Sequence, residues 1–490
     1  GATCTLQLTF TPTTIGARAA TVVISTNAPG SPHSYNLSGS GYTFIAPPAG
    51  ISISAGGNNI VAQKLDGSVV AWGGNNNGQV GDGTTTDRFF PVFVPGINNV
   101  VAVSAGGDHV MALKSDGSVW TWGQNDFGQL GSGDTAPRLV PGPVAGLVDI
   151  VAIAAGYDHS YALRADGAVF AWGDNTYSQL GDGSGATFRL QPVPVVAAAN
   201  VTAIASGDFH GLARRADGSL IAWGWNAAGQ VGDGTTTARN QPVVVGVGNV
   251  AQIAAGGWHS MAIQNDGTVL AWGRNLTGQL GNGTNTQSNT QLIIGAAANV
   301  TQVDGGFGHA LAVTPAGGVL SWGLNDSGQL GNASVPNTNL PGAVPGISSA
   351  IQVAGGTMIS AAILADGRVM AWGNGSVGGL GDGSTAVRRS ADFVSGVGGT
   401  GQLNLNDATQ PPPSLMSVVS RKLHGAAGNY DLPVGLGLPV TGTVTIEPRH
   451  NGAGHQLVFG FDRAITSAGS LEILDSTGQP VGNGSTTVSG

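Results

Sequence analysis

Seven Trp-Gly pairs return at nearly constant intervals along the middle of this 490-residue chain. The tryptophans are Trp72, Trp122, Trp172, Trp223, Trp272, Trp322 and Trp372. Successive differences between these numbers are 50, 50, 51, 49, 50 and 50 residues. Internal repeats with a period of about 20 to 50 residues are typical of solenoids, propellers and repeat arrays. The repeat, which runs from about Ile51 to Thr400, therefore constrains the fold more than any other feature of the sequence.

Each unit has the same internal order of short apolar runs and turns. In the unit that contains Trp272, two strand-length runs surround Asp266-Gly267, a pair that favours a type I′ hairpin because both central residues need positive φ. The 83 glycines and the charged fraction of 9% fit short strands and tight turns, and helical periodicity is absent. The sequence therefore predicts an all-β fold, a seven-bladed β-propeller in which each unit forms one four-stranded sheet.

The repeated phrases also carry a family resemblance. The segments "AGGDHVMALKSDGSVWTWGQNDFGQLGSG" (105–133) and "AAGYDHSYALRADGAVFAWGDNTYSQLGDG" (154–183) resemble the repeat of the regulator of chromosome condensation family. The likeness covers residues 51–400 and implies a seven-bladed propeller. It also raises an alternative function, guanine-nucleotide exchange on a small GTPase, which the resemblance ties to a protruding β-wedge. No unit here departs from 50 residues by more than one, which leaves little room for such a wedge.

The segments on either side of the repeats are predicted to be separate β-modules. Residues 4–41 alternate apolar and polar residues and resemble the last strands of an immunoglobulin-like domain of bacterial surface proteins. We therefore expect four parts: 1–41, the C-terminal part of an immunoglobulin-like β-sandwich; 42–405, the propeller; 406–415, a Pro-rich linker; and 416–490, a partial β-sandwich module. Flanking modules of this kind indicate that the chain is a fragment of an exported bacterial multidomain protein, located outside the cell or at its surface.

Composition argues against several classes of partner. The net charge is -9, and the lysines are confined to Lys64, Lys114 and Lys422, whereas a nucleic-acid surface needs clustered basic residues. No run approaches 18 apolar residues, so direct membrane insertion is not expected. Cys4 is the single cysteine, which excludes a disulfide framework or a Cys-based zinc site within the chain. We expect no cofactor and no bound metal.

Five histidines each stand 13 residues before a repeated tryptophan. They are His109, His159, His210, His259 and His309. A catalytic site needs one constellation of side chains rather than five copies around a ring, so we interpret these imidazoles as structural groups within or between blades. Glutamate is absent from the propeller, and no nucleophile motif is present. The sequence therefore predicts a protein that is not an enzyme.

Large apolar residues occur where the repeat varies. If the first three strands of a unit alternate in direction, the loop before each histidine and the loop after each Trp-Gly pair open on the same face, and the polar Asp-Gly turns lie on the other. The variable residues of the first face are Tyr157, Phe209, Trp258, Phe307 and Met358 before the histidines, and Phe127, Tyr177 and Trp225 after the Trp-Gly pairs. Such side chains resemble the aromatic anchors of protein interfaces, although several could instead fold inward and plug the channel.

The sequence thus favours a non-catalytic binding or scaffold module that grips a protein or glycan through these eight side chains. Rigid scaffolds often present function on variable loops. The chain also resembles a secreted bacterial inhibitor of β-lactamases, a propeller of this repeat type that binds its target through one face. This resemblance implies the mode of binding and not the target. Guanine-nucleotide exchange remains the alternative, and a polymer-active enzyme is a further alternative because propellers often host such sites.

Overall fold

A computed structural model describes residues 50–333 and 336–407 in full, and it gives seven further strands outside these ranges. The two strands before the repeats, β1 (Gly16–Ile24) and β2 (His33–Gly41), form an antiparallel pair. The chain divides into two compact units, one of Gly1–Val94 with Asn98–Asp407 and the other of Pro95–Ile97 with Ala408–Gly490.

Seven four-stranded antiparallel sheets follow one another through the repeats, each with its strands in sequence order. The first four blades are β3 (Ser52–Ala55), β4 (Asn59–Gln63), β5 (Val69–Gly73), β6 (Arg88–Phe93); β7 (Val100–Ala105), β8 (His109–Lys114), β9 (Val119–Gly123), β10 (Arg138–Pro143); β11 (Ile150–Ala155), β12 (His159–Arg164), β13 (Val169–Asp174), β14 (Phe188–Pro194); and β15 (Val201–Ser206), β16 (His210–Arg215), β17 (Leu220–Gly224), β18 (Arg239–Val245).

The remaining three blades repeat the same order. They are β19 (Val250–Ala255), β20 (His259–Gln264), β21 (Val269–Gly273), β22 (Ser288–Ile293); β23 (Gln302–Gly305), β24 (His309–Val313), β25 (Val319–Gly323), β26 (Thr338–Ala343); and β27 (Ala350–Gly355), β28 (Ile359–Leu364), β29 (Val369–Gly373), β30 (Arg388–Phe393). Two short 3-10 turns lie at Gly295–Ala297 and Val397–Gly399. The predicted all-β, seven-bladed propeller is therefore confirmed.

The Asp-Gly turns differ from the expected type. Gly267 has a φ of 83°, but Asp266 is not among the residues with positive φ. The Gly267 N–H donates to the Gln264 carbonyl at 2.9 Å, and the Gln264 N–H donates to the Thr268 carbonyl at 2.8 Å. This pattern is a three-residue loop in which a left-handed glycine follows a type I turn, so the type I′ prediction is wrong. The Asp266 carboxylate accepts the Thr268 N–H at 2.9 Å, a bond that stabilises this wider loop.

The repeated tryptophans hold neighbouring blades together. All seven indoles are fully buried, and the middle strands β20 and β21 are buried almost throughout, as their lack of apolar-polar alternation predicts. Six indole N–H groups donate to the carbonyl of a glutamine in the preceding blade: Trp122 to Gln79, Trp172 to Gln129, Trp223 to Gln179, Trp272 to Gln230, Trp322 to Gln279 and Trp372 to Gln329. Each blade thus packs on its neighbour with its one polar indole atom satisfied.

Direct contacts between the seventh and first blades close the ring. The Trp72 indole of the first blade donates to the Gly379 carbonyl of the seventh at 3.2 Å. At the inner edge, the Thr357 N–H donates to the Gly56 carbonyl at 3.1 Å. The seventh blade takes all four of the strands in its sheet from residues 350–393, so its outer strand β30 belongs to the same repeat as the other three.

The segment after the last blade completes this closure. Leu403 and Leu405 are buried, with exposed fractions of 2% and 0%. The Leu405 N–H donates to the Gly367 carbonyl at 2.8 Å, and the Leu405 carbonyl accepts the Leu65 N–H at 2.9 Å. Leu405 therefore bridges the Asp-Gly turns of the seventh and first blades.

The C-terminal flank contains β31 (Leu415–Leu423), β32 (Asn429–Val434), β33 (His455–Phe461), β34 (Leu471–Leu474) and β35 (Pro480–Gly484). The first three form one sheet and the last two another. The predicted sandwiches of both flanks stay predictions, and most of the predicted linker, 408–414, lies outside the described residues. Within the part of the chain that is described, no helix is long and apolar enough to cross a membrane.

Candidate functional site

The loops before the repeated histidines and the loops after the Trp-Gly pairs lie side by side on one face of the propeller. The Gln124 N–H donates to the Asp108 carbonyl at 2.9 Å, and the Trp225 N–H donates to the Phe209 carbonyl at 2.8 Å. The Asp-Gly turns stand at the opposite ends of the same strands. We call the first of these surfaces the loop face. Large side chains on its loops contact one another across the boundaries between blades.

One position per blade lines the mouth of the central channel on this face. It stands two residues before the histidine or its equivalent, and the seven residues are Gly57, Gly107, Tyr157, Asp208, Gly257, Phe307 and Thr357. The channel has a volume of about 300 Å³. Its mouth is narrow because backbone bonds link neighbouring blades, for example from the Tyr157 N–H to the Asp208 carbonyl at 3.4 Å. Tyr157, Asp208 and Phe307 supply the large or charged side chains at this mouth.

Six of the eight predicted site residues form a continuous series of ring contacts. We call this series the aromatic track, and it consists of Tyr157, Tyr177, Phe209, Trp225, Trp258 and Phe307. The ring centroids of Phe209 lie 6.1, 5.2 and 5.8 Å from those of Tyr157, Tyr177 and Trp225. Trp225 contacts Trp258 at 4.7 Å, and Trp258 contacts Phe307 at 6.0 Å. The track therefore crosses the third to sixth blades without a break.

The other two predicted residues lie on the same face but outside the ring contacts recorded for the described residues. Phe127 and Met358 are exposed by 37% each, and the Ser327 hydroxyl lies 3.5 Å from the Met358 sulfur. The two tyrosines of the track are more open, with exposed fractions of 42% for Tyr157 and 44% for Tyr177. Tyr157 and Phe307 are among the residues that line the central channel, which is where the alternative of inward-folded side chains would place them.

Trp258 carries the one cation of the track. The Arg274 guanidinium lies 4.1 Å from the centroid of the Trp258 ring, within the distance of a cation-π interaction. The Trp258 indole N–H is buried and has no hydrogen-bond partner among the described residues. Buried indole N–H groups usually find an acceptor, so this unpaired donor is an exception within the track.

A group of aspartates beside the track was missed by the sequence reasoning. Asp108 accepts the side chain of Gln79 at 2.8 Å, and Asp158 accepts that of Gln129 at 3.0 Å. The signal was present, because both aspartates directly precede a repeated histidine. Each of these bonds runs from the loop of one blade to the next, so the two carboxylates are held in fixed places on the loop face.

Burial and mutual repulsion keep protons on some of these carboxyls. Burial first, and then repulsion from the carboxylates of Asp174 and Asp108, raise the pKa of Asp158 to about 7. Burial raises the pKa of Asp208 to about 7 as well, with Asp158 as the second cause. In the channel wall, burial raises the pKa of Asp304 to about 7 although the Gly355 N–H donates to it at 2.8 Å. The mouth therefore combines aromatic rings with carboxyls that titrate near neutral pH.

The five repeated histidines are buried between blades. His109, His210 and His309 place Nε2 at 2.8 to 2.9 Å from a serine hydroxyl of the next blade, and the partners are Ser160, Ser260 and Ser360. Burial lowers the pKa of each histidine to about 3 or 4. His159 Nε2 lies 3.0 Å from the Ser206 hydroxyl of the next blade, whereas His259 has no hydrogen-bond partner among the described residues. Four of the five buried rings therefore connect blades by a hydrogen bond.

The described residues contain no group of three or more His, Cys, Asp or Glu side chains that could hold a metal ion. The aspartates of the loop face are spread over successive blades, and their described partners are side-chain amides, hydroxyls and backbone N–H groups. The side chains of this site offer apolar contact, cation-π attraction, hydrogen bonding and charge attraction.

Comparison with protein families supports the repeat assignment. The family described as "RCC1-like domain" matches residues 41–249. The "Regulator of chromosome condensation (RCC1) repeat" matches residues 266–313 and 316–363, and a second description of the same repeat matches 250–279 and 300–329. No curated protein matches the chain.

Solved structures of similar fold include eukaryotic propellers. Prp20p of Saccharomyces cerevisiae, described with its binding properties to Gsp1p and histones, is 26% identical over 62% of this chain and 80% of its own, with a TM-score of 0.56. Yeast RCC1 (Prp20) bound to Kap60 is 21% identical over 73% of this chain and 87% of its own, with a TM-score of 0.61. Human WBSCR16 is 22% identical over 72% of this chain and 96% of its own, also with a TM-score of 0.61.

Proposed function

Because this chain belongs to the regulator of chromosome condensation repeat family, we propose that its propeller is a non-catalytic binding module that engages a protein through the loop face. The aromatic track carries the proposal. Six rings in mutual contact cross four blades, and the blades themselves are already held by the buried tryptophans. The track is thus surplus to the scaffold, and it has the residue types that dominate protein interfaces.

A protein partner has more support than a glycan. The 26% identical Prp20p is described as binding Gsp1p and histones, which are proteins. The track is also long and mixes tyrosine, phenylalanine and tryptophan, and a protein surface could bury all of it. Interfaces of this kind place aromatic anchors at the centre and polar groups at the rim, which matches a track bordered by aspartates.

The setting outside a bacterial cell is part of the same proposal. It rests on the resemblance of the flanking segments to modules of bacterial surface proteins. In that setting the propeller would be one module of a larger exported protein, and the partner would be a secreted or surface protein. Fractionation of the source cells with an antibody against the propeller tests this part, and a signal confined to the cytoplasm would contradict it.

The first test is capture of a partner by the full chain. The bait is compared with a variant that carries Tyr177→Ala, Phe209→Ala, Trp225→Ala and Trp258→Ala, and with a control that carries Trp120→Ala. Trp120 lies near Lys114, with the ammonium 5.2 Å from its ring centroid, on a strand outside the track. We expect the control to retain the captured protein and the track variant to lose it.

The size of the loss in affinity distinguishes a central anchor residue from a peripheral one. Central aromatic anchors contribute about 2 kcal/mol or more each, so a single Trp258→Ala change should weaken binding at least about 30-fold. Equal capture by the track variant and the wild type, with both proteins folded, would reject the loop face as the binding surface. Acceleration of nucleotide release from a small GTPase, retained in the track variant, would instead support the exchange alternative.

A further inference from the structure

The mouth of the channel places a carboxylate beside an aromatic ring. Gly257 lies between the two groups, since a Cβ added there would stand 2.9 Å from Asp208 Oδ2 and 2.9 Å from Phe307 Cδ2. The two atoms are therefore no more than about 5.8 Å apart, the sum of these distances. On the other side, the Tyr157 backbone N–H donates to the Asp208 backbone carbonyl at 3.4 Å, while the Tyr157 ring lies against Gly107, where an added Cβ would stand 3.2 Å from Tyr157 Cδ2. A carboxylate beside an aromatic ring is a favourable environment for a cation.

The Asp208 carboxylate has no hydrogen-bond or ion-pair partner recorded among the described residues, in contrast to Asp108 and Asp158, which accept glutamine amides. Burial first, and then repulsion from Asp158, raise its pKa to about 7. A desolvated acid with no cation nearby gains most from a cation supplied by a partner, because the attraction is weakly screened there.

The charge of the surrounding loops has the same sign. The loop face, taken as the three residues before each histidine position and the six after each Trp-Gly pair, contains six acidic residues: Asp108, Asp126, Asp158, Asp174, Asp208 and Asp326. Arg274 is the basic residue of the same loops, and it lies over the Trp258 ring. Five negative charges therefore remain at full ionisation, 6 minus 1, beside an apolar track. Complementarity requires a partner surface that is both apolar and basic.

We propose that the protein bound by the loop face inserts an arginine or lysine side chain into the channel mouth, against the Asp208 carboxylate and the Phe307 ring. Apolar residues on either side of that cation cover the rest of the aromatic track. This inference rests on the proposed function and specifies its partner as a protein with an exposed cationic residue in an apolar patch. The cation satisfies Asp208, and its alkyl stem packs on the rings.

The test uses a small cation as the probe, with the full chain labelled at its tryptophan indoles with nitrogen-15. N-acetyl-arginine amide is titrated while the indole N–H signals of Trp225 and Trp258 are followed by NMR. N-acetyl-citrulline amide, which has nearly the same shape but no charge, is the matched control ligand. We expect saturable shifts with arginine amide, binding that is at least about tenfold weaker with citrulline amide, and a loss of affinity as salt rises.

Two variants locate the site. Asp208→Asn should weaken arginine amide binding about tenfold or more, since it removes the charge but keeps the shape. Asp217→Asn removes an exposed charge from the Asp-Gly turn of the same blade, on the face opposite the channel mouth, and should leave the affinity within about twofold, as an exposed charge contributes little. Equal binding of the two ligands, or equal loss in both variants, would overturn the inference.

The two proposals fail separately. If Asp208→Asn still captures the protein partner at wild-type strength while the track variant does not, the loop face binds a protein without an inserted cation. If neither variant changes capture, the loop face is not the binding surface. A partner identified in the capture experiment adds a last check, because replacing its contacting arginine or lysine by methionine should reproduce the effect of Asp208→Asn.

Discussion

His309 Nε2 lies 2.8 Å from the hydroxyl of Ser360 in the next blade, and both side chains are fully buried. The hydroxyl also donates to the Gln329 carbonyl at 2.8 Å. Ser360→Ala should lower the stability of the propeller by about 1 to 3 kcal/mol, because it leaves a buried imidazole nitrogen without a partner. Thermal unfolding of the full chain measures the change. An unchanged midpoint would show that this inter-blade bond contributes nothing net.

The pairing of a repeated histidine with a serine of the next blade also predicts a stabilising substitution. His259 Nε2 is buried without a partner among the described residues, and Ala310 occupies the place that Ser360 has in the seventh blade. Ala310→Ser should therefore raise stability by about 1 kcal/mol by supplying the missing hydroxyl. Ala312→Ser, two residues along the same buried strand, is the control and should lower stability, since its hydroxyl would have no imidazole to meet. The opposite order of midpoints would contradict the assignment.

Buried histidines make the propeller sensitive to acid. Burial lowers the pKa of His210 and His309 to about 3, whereas an unfolded histidine titrates near 6.5. Between these values the unfolded chain binds more protons, so stability is fully present above about pH 6.5 and falls as the pH drops toward 3. Unfolding midpoints measured from pH 7.5 to 4.5 should decrease steadily. A double variant, His210→Gln with His309→Gln, should show a shallower decrease.

Asp208 gives the opposite dependence of folding stability on pH. Burial raises its pKa to about 7, with Asp158 as a further cause, while an unfolded aspartate titrates near 3.9. The folded chain therefore holds the extra proton between these values, and this contribution to stability is lost as the pH rises from about 4 to 7. Asp208→Asn should gain stability relative to the wild type over the same interval, with a constant difference above pH 7. A difference independent of pH would mean that Asp208 is ionised throughout.

Leu405 should be essential to ring closure. It is fully buried and bridges the Gly367 and Leu65 backbones of the seventh and first blades. Leu405→Ala should cost about 2 to 5 kcal/mol, the usual range for a buried leucine. Leu276→Ala, at a position that is 61% exposed, should stay within about 0.5 kcal/mol. Equal effects in chemical denaturation would indicate that the ring is closed without the segment that contains Leu405.

The number of blades and the order of the strands within each blade follow from the sequence alone. The Trp-Gly period predicts seven units, and the buried positions of Trp272 and His259 follow from their recurrence in a scaffold that must pack each unit against the next. The order of strands also predicted that the loops with Tyr157 and Trp225 share one face. These inferences hold because a repeat fixes local geometry many times over.

The turn type, the lining of the channel and the pKa of Asp208 depend on tertiary contacts that local sequence patterns do not specify. Whether Asp266-Gly267 forms a two-residue or a three-residue turn depends on the backbone bond between Gln264 and Thr268. Tyr157, two residues before its histidine, lines the channel, whereas Trp258, one residue before its own histidine, is not among the lining residues. Asp208 acquires its raised pKa from burial at the channel mouth and from Asp158 of the neighbouring blade. Such properties arise from residues far apart in the chain, because electrostatic and packing energies depend on distance in space.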